Sequence, residues 1–364
     1  MLNRKRLDQI SWEDFSALSL HDKAPYLVQF NGRPFHALIA QQFDREMLDH
    51  LCDLTSRIRK ISKSREGCKF LADLLCHKRA MIYFSQPSSR TFLSFYAACQ
   101  ILGIKIAEVR DPSISSEMKG ESLEDSLRTF SSYFDTIIMR TPLQGFAEKT
   151  AWVLSNTERP IPILNAGSGK DQHPTQALLD IYTLVRSFEK YGGLEDKHIV
   201  FCGDLLRGRT VRSLSYLLTM YPNIRMTFAA PKHLQIGEDI LHQLDEAGIQ
   251  YDVTTNFKDT IPTADAIYMT RIQDEWDKKP GESASQFNLA DYSFTGDDLK
   301  RLPISSVIMH PLPRRTEIDT ACDNDPRAVY WRQMRNGMWI RAALIATIFG
   351  RDTEITHYYT LNIK

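Results

Sequence analysis

No run of apolar residues in this chain approaches the length that a bilayer-spanning helix needs. The 45 basic residues match the 45 acidic ones, which leaves no surplus charge for nucleic acid or an anionic membrane surface. The expected partners therefore include no nucleic acid and no membrane. The basic start Met1-Leu2-Asn3-Arg4-Lys5-Arg6 lacks the apolar stretch of a secretory signal. Six cysteines, at 52, 68, 76, 99, 202 and 322, form no C-x-x-C pair and match no zinc spacing with histidine. They read as reduced core thiols of a cytoplasmic protein with no metal and no cofactor. Paired carboxylates, a Ser/His/Asp order, internal repeats and low-complexity tracts are also missing. Hydrolysis by a nucleophile triad and metal chemistry thus have nothing to stand on.

What the chain does contain is organised around Ser85-Gln86-Pro87-Ser88-Ser89-Arg90-Thr91-Phe92-Leu93-Ser94-Phe95. The apolar run Ala80-Met81-Ile82-Tyr83-Phe84 before it reads as a buried strand. Residues 93–103 repeat apolar positions at helical spacing and end at Gly103. Pro87 disfavours helix at Gln86, and Ser88 or Ser89 is placed to cap the helix that follows. A helix N-terminus with three hydroxyls and a guanidinium suits a dianionic phosphate; an ordinary cap beside a solvated arginine is the plainer alternative.

The pattern then repeats. Strands are expected at 105–109, at 136–139 ending at Arg140, and at 161–164 ending at Asn165-Ala166-Gly167. His173-Pro174-Thr175-Gln176 leads into a helix from Ala177 to Val185, and the loop 110–120 carries Ser113, Ser115, Ser116 and Lys119. After the break at Tyr191-Gly192-Gly193, strands are expected at 198–202, 226–229, 251–253, 266–269 and 307–309. Polar groups again follow the strands: Gly203-Asp204-Leu205 with Arg209, Thr270-Arg271-Ile272-Gln273, and His310-Pro311-Leu312-Pro313-Arg314.

This order predicts an α/β chain of two doubly wound parallel-sheet domains joined by helices. The expected division is an N-terminal extension at 1–33, a first domain at 34–185 completed by a C-terminal helix at 336–364, and a second domain at 186–335. The last helix is apolar on most faces from 336 to 349 and should be buried. The extension carries no readable chemistry and either packs or stays mobile. Ligands of such sheets bind beyond the strand ends, so a cleft between the domains is the default site. Arg90, Arg140, Arg209 and Arg271 at strand ends, with His173 and Lys119, fit a ligand carrying several negative charges. Taken singly, each is more often a surface or structural residue.

In this order the motifs resemble the aspartate and ornithine carbamoyltransferases. Ser88-Ser89-Arg90-Thr91 is similar to the S-T-R-T phosphate loop of that family. The resemblance continues through Lys119-Gly120-Glu121, Met139-Arg140, Asn165-Ala166-Gly167 and His173-Pro174-Thr175-Gln176. It extends through Gly203-Asp204-Leu205 and Gly208-Arg209-Thr210-Val211, Thr270-Arg271-Ile272-Gln273, and His310-Pro311-Leu312-Pro313-Arg314. Pro311 and Thr175 stand where the ornithine branch carries cysteines, and its Ser-Met-Gly loop is missing, so the chain resembles the aspartate branch.

The resemblance implies a first domain for carbamoyl phosphate and a second for aspartate. It implies transfer of the carbamoyl group to the amine of L-aspartate, giving N-carbamoyl-L-aspartate and phosphate, an early step of pyrimidine synthesis. It also implies roles. Ser88, Ser89, Arg90 and Thr91 hold the phosphate. Thr91, Arg140 and His173 donate to the carbonyl oxygen. Gln176 and the carbonyls of Leu312 and Pro313 take the carbamoyl NH2. Arg209, Arg271 and Gln273 take the dicarboxylate. Ser115 and Lys119 reach into a neighbouring subunit's site, with Lys119 serving both substrates, which implies a homotrimer with shared active sites. Regulatory or pyrimidine-pathway chains are further conceivable partners.

The sequence departs from the family pattern at Ser89 for Thr, Phe92 for a second Arg, Gln86 for Glu and Trp276 for Arg. The last two remove both members of a charge pair, which is milder than removing one. Closure is then expected to use other contacts, Trp276 among them, and the short loop from Asp277 to Gln286 leaves the acceptor side open. The alternatives are a carbamoyltransferase with another amino acceptor and a catalytically silent assembly partner. The latter should have lost Arg90, Lys119, Arg140 or His173, all of which are present.

Overall fold

The computed structural model describes residues 5–29, 31–110, 122–169, 172–272 and 288–363. The chain divides into two compact units, residues 1–179 with 335–364 and residues 180–334. The first unit opens with two short helices, α1 (Trp12–Ala17) and α2 (Leu20–Lys23), then α3 (Arg45–Ile61) and α4 (Arg65–Asp73). Strands and helices then alternate: β1 (Arg79–Phe84), α5 (Ser89–Ile101), β2 (Lys105–Val109), α6 (Leu123–Tyr133), β3 (Thr136–Thr141), α7 (Phe146–Ser155) and β4 (Ile163–Ser168), and α8 (Pro174–Phe188) runs from the first unit into the second. The four strands are all parallel, in the order β2-β1-β3-β4. The second unit holds β5 (His198–Cys202), α9 (Arg209–Leu218), β6 (Arg225–Ala229), α10 (Glu238–Glu246), β7 (Gln250–Thr254), β8 (Ala266–Met269) and β9 (Val307–Met309). Its parallel sheet runs β7-β6-β5-β8-β9. The chain finishes with α11 (Tyr330–Ile348) and α12 (Asp352–Asn362).

Both sheets are doubly wound, as the alternating pattern predicts. Strand order reverses between β1 and β3 in one sheet and between β5 and β8 in the other. At such a point the following loops part to opposite faces and leave a crevice at the carboxyl ends. The segments after β1, β5 and β8, and the end of β3, are the ones the sequence reading singled out.

Several boundaries differ from the sequence reading. Strand β4 begins at Ile163 rather than Ile161 and continues through Asn165-Ala166-Gly167 to Ser168. Pro162 has no N–H to give a ladder, whereas Asn165 N–H donates to Ala37 O at 2.8 Å and Ala37 N–H to Ile163 O at 2.9 Å. The segment around Ala37 thus covers the edge of β4. Arg140 lies inside β3, where the pairing with β4 shifts register between Met139 and Thr141. Helix α11 starts at Tyr330, six residues before the expected 336. The C-terminal segment forms two helices instead of one; Arg351 N–H turns back to Ala346 O at 2.8 Å and closes α11 before α12 begins.

The N-terminal extension packs. Phe15 is fully buried, and Leu7 and Leu27 join the core formed by β3, β4 and α7. Trp12 lies 6.1 Å from Trp152 of α7, whose indole N–H donates to Ile10 O at 2.9 Å. The buried ammonium of Lys23 pairs with Glu148 of α7 at 2.6 Å. Burial of each large apolar side chain contributes about 2 kcal/mol, so three of them hold a segment that has no regular sheet pairing.

Candidate active site

In the first unit the phosphate-loop segment is anchored directly to β3. Phe84 is in register with Arg140, and Ser85 and Gln86 N–H groups both approach Arg140 O, at 2.9 and 3.4 Å. Ser88 occupies the N-cap position of α5 but makes no side-chain cap bond. Its hydroxyl donates to the Thr91 hydroxyl at 3.1 Å instead. The expected cap is therefore not made by Ser88. The backbone N–H groups of the first turn, which a helix leaves unsatisfied, keep their affinity for an anion. Ser89 and Arg90 are exposed, and Thr91 is buried.

Arg140 and His173 are both buried, 8 % and 4 % exposed. The Arg140 guanidinium donates from Nη1 to Ala166 O at 3.1 Å. Gly167, with φ +111, lies directly beside it. A Cβ on Gly167 would stand 2.6 Å from Arg140 Nη1 and 3.3 Å from His173 Cδ2. The side chains of Arg140 and His173 therefore converge on one small space at the end of β4. The glycine is required twice there, by its φ and by this close approach. Asn165 holds the strand end open by donating from its amide to Leu38 O at 3.0 Å and accepting from Gly167 N–H at 2.8 Å. His173 carbonyl accepts from Gln176 and Ala177 N–H at 2.9 and 3.2 Å, which starts α8 and buries Gln176 in its first turn.

One cation underlies this group and was not singled out in the sequence. Arg341 of α11 is buried and donates to the Ser94 hydroxyl of α5 at 2.6 Å and to the Thr175 hydroxyl at 3.3 Å. It also lies 4.7 Å from the Phe95 ring centre. It thereby ties the helix after the phosphate loop to the helix after His173. Only its sequence distance from both hid it.

In the second unit the turn after β5 is tight. Gly203 has φ +121, and a Cβ there would stand 2.2 Å from Thr270 O. Thr270 N–H donates to Cys202 O at 2.7 Å, bringing the ends of β5 and β8 together. Buried Asp204 accepts from Arg207 N–H at 3.0 Å and shapes the loop that delivers Arg209 to the first position of α9. Arg209 and Arg271 are half-buried. After β9, Leu312 adopts φ +54 and its peptide bond to Pro313 is cis. Arg314 is fixed by Asp323 and lies over the Tyr330 and Trp331 rings, at 5.4 and 5.6 Å from their centres. It serves as an anchor of this loop. Burial pushes the Glu317 carboxyl up, but the hydrogen bond from His310 and those from two backbone N–H groups outweigh this and hold it below the usual range.

Ser115, Lys119, Gln273 and Trp276 lie outside the described residues. Among the described residues no group of three or more His, Cys, Asp or Glu is arranged to hold a metal ion, and no helix is long and apolar enough to cross a membrane. The arrangement in the first unit offers donors for an oxyanion beside a helix N-terminus for a phosphate; the second unit offers two guanidinium groups and a carbonyl turn.

Residues 36–186 match the family described as aspartate/ornithine carbamoyltransferase, carbamoyl-P binding domain, and residues 195–348 match its Asp/Orn binding domain. The chain is similar to chloroplastic aspartate carbamoyltransferase 1 of Pisum sativum, 37 % identical over 312 residues, which is 85 % of this chain and 77 % of that protein. It is similar to the aspartate carbamoyltransferase catalytic subunit of Vibrio cholerae, 39 % identical over 281 residues, 77 % of this chain and 88 % of that one. The structure of Trypanosoma cruzi aspartate transcarbamoylase in complex with carbamoyl phosphate and aspartate aligns with a TM-score of 0.74 at 34 % identity, covering 88 % of this chain and 99 % of that one.

Proposed function

Since the chain belongs to the aspartate/ornithine carbamoyltransferase family, we propose that it transfers the carbamoyl group of carbamoyl phosphate to the amine of L-aspartate. The products are N-carbamoyl-L-aspartate and phosphate, an early step of pyrimidine synthesis. The observation that carries this reading is the convergence of Arg140 and His173 on the space at Gly167. Two buried donors there suit the negative charge that develops on a carbonyl oxygen under attack by an amine. His173 acts as a donor in this scheme.

Ser88, Ser89, Arg90 and Thr91 take the phosphate at the start of α5, and Arg90 stabilises the charge of the leaving group. Thr91 joins Arg140 and His173 at the carbonyl oxygen. Gln176 and the carbonyls of Leu312 and Pro313 receive the carbamoyl NH2. Arg209, Arg271 and Gln273 receive the dicarboxylate, a task for which a planar guanidinium fork is well matched. The attacking amine must lose a proton, and the departing phosphate accepts it, so no protein base is required.

The same proposal assigns Ser115 and Lys119 to a neighbouring subunit's site in a homotrimer. It places the protein in the cytoplasm, supported by Cys52, Cys99, Cys202 and Cys322, which are buried as thiols. Burial pushes the Cys99 thiol up to about 12 and that of Cys202 well above its ordinary value, as expected of inert core groups.

The test is carbamoyl transfer by the purified full chain, with aspartate compared against ornithine and other amino acids at saturating carbamoyl phosphate. Turnover with aspartate alone is expected. Turnover confined to another acceptor would overturn the assignment of Arg209, Arg271 and Gln273. No turnover with any acceptor would overturn the reaction itself.

A further inference from the structure

The turn that carries Leu312 is held by a buried polar chain with a fixed direction of hydrogen bonding. Leu312 N–H donates to Nδ1 of the fully buried His310 at 2.7 Å. A backbone N–H can only donate, so Nδ1 carries no proton and Nε2 must. Nε2–H then donates to Glu317 Oε1 at 2.8 Å, while Glu317 Oε2 accepts from Arg315 N–H at 3.0 Å. One carboxylate thus fixes the imidazole and the far side of the same turn. On the other flank, His310 N–H donates to Gln333 Oε1 at 2.9 Å, and the Gln333 amide donates to Asp180 Oδ1 at 2.7 Å. Every amide, ring and carboxylate along this path has only one orientation that satisfies its neighbours.

Packing alone does not dictate the turn. Leu312 is only half-buried and Pro313 is exposed, yet Leu312 is held at φ +54, a region a leucine rarely adopts. The direction of the Leu312 carbonyl follows from that backbone conformation. We propose that His310, set by Glu317 in its Nε2–H tautomer, is a positioning residue that aims the Leu312 carbonyl at the amide of the carbamoyl group. The proposal rests on the carbamoyl-transfer reading above and deepens it. It assigns the distinction between a carbamoyl and an acyl phosphate to a dyad that touches neither.

Acetyl phosphate supplies the readout, because a methyl group replaces the NH2 that the carbonyl would accept from. Two substitutions separate the two ring nitrogens. His310→Asn keeps an acceptor near the Nδ1 position and gives up Glu317. His310→Gln keeps a donor toward Glu317 and gives up the acceptor for Leu312. In the wild type, carbamoyl phosphate should bind more tightly than acetyl phosphate competes. His310→Gln should reduce that preference by about tenfold through weaker carbamoyl phosphate binding alone, the equivalent of one hydrogen bond. His310→Asn should retain it within about threefold, a loss of under half a hydrogen bond. Equal behaviour of the two variants, or parallel loss of both phosphates, would mean a merely structural histidine and overturn the proposal. Should His310→Gln fail to fold, as judged by circular dichroism and its thermal transition, Glu317→Gln carries the test. That variant leaves the tautomer unfixed and should lose part of the preference; full preference in it overturns the proposal. Wild-type protein that transfers no carbamoyl group would sink the functional reading instead, and is told apart because it needs no variant.

Discussion

Gly167→Ala is the sharpest test of the site geometry. The new methyl would stand 2.6 Å from Arg140 Nη1 and 3.3 Å from His173 Cδ2. The backbone is pinned by Gly167 N–H to Asn165 Oδ1 at 2.8 Å, so the end of the arginine side chain is what gives way. Reaching ordinary contact requires a shift of roughly 0.8 Å. That breaks the 3.1 Å bond from Nη1 to Ala166 O and moves one donor away from the reacting carbonyl. A misplacement of this size costs about a hundredfold in kcat, or about 2.7 kcal/mol in the transition state. An alanine at φ +111 adds about 1–3 kcal/mol of strain, so the melting temperature should fall by several degrees while the fold survives. The assay is initial-rate carbamoyl transfer with both substrates varied, alongside a thermal melt. The KM for carbamoyl phosphate should change little, because Ser88, Ser89 and Arg90 are untouched. The double variant with Arg140→Ala should be no slower than Arg140→Ala alone, since both act through one guanidinium. Full activity in a folded Gly167→Ala protein, or additive losses in the double variant, would refute the placement of Arg140 beside the reacting atoms.

Three further outcomes are expected. Mixing Arg90→Ala chains with Lys119→Ala chains should restore activity through hybrid sites if the active sites are shared, and no recovery at all would remove the shared site. Burial pushes the His36 imidazole down to about 3, and its Nδ1 accepts Ile163 N–H at 3.1 Å in the neutral form. The unfolded chain takes up that proton near pH 6.5 and the folded chain does not, so this contribution is complete above pH 6.5 and is lost as the pH falls toward 3. Wild type should therefore lose about 2 kcal/mol between pH 8 and pH 5 that His36→Asn does not lose, read from urea unfolding of the two proteins; parallel curves would contradict it. Phe15→Ala should cost about 3–5 kcal/mol and expose the first 30 or so residues to limited proteolysis, whereas unchanged protection would show that the extension is held elsewhere.

Much of the site was legible because its parts are local. A strand that ends in Pro and hydroxyl residues before a helix fixes where Ser88 to Thr91 lie, whatever the rest of the chain does. The reading placed Arg140 just past a strand, whereas it is within β3; a single arginine cannot reveal that the neighbouring strand shifts register there. Ser88 has the type and position of a cap, but its side chain accepts no first-turn N–H and donates to Thr91 instead, a geometry that residue type does not reveal. Arg341, Gln333 and Asp180 carried no signal: their partners are distant in sequence, and a polar residue within a helix reads the same whether it is satisfied or functional.

The sequence by itself determined the alternation of strands and helices, the two-fold repetition of that pattern and the kinds of group at the strand ends, since each depends on periodicity and turn chemistry within a few residues. Tertiary structure alone decided the strand orders, hence the two switch points, and it decided that Arg140 and His173 meet at Gly167. It also decided that residues without any pattern, from Leu7 to Leu27, complete a core, and that His310 carries its proton on one particular nitrogen. These follow from which surfaces must be buried together and which buried donors find acceptors, and neither is written in the spacing of residues along the chain.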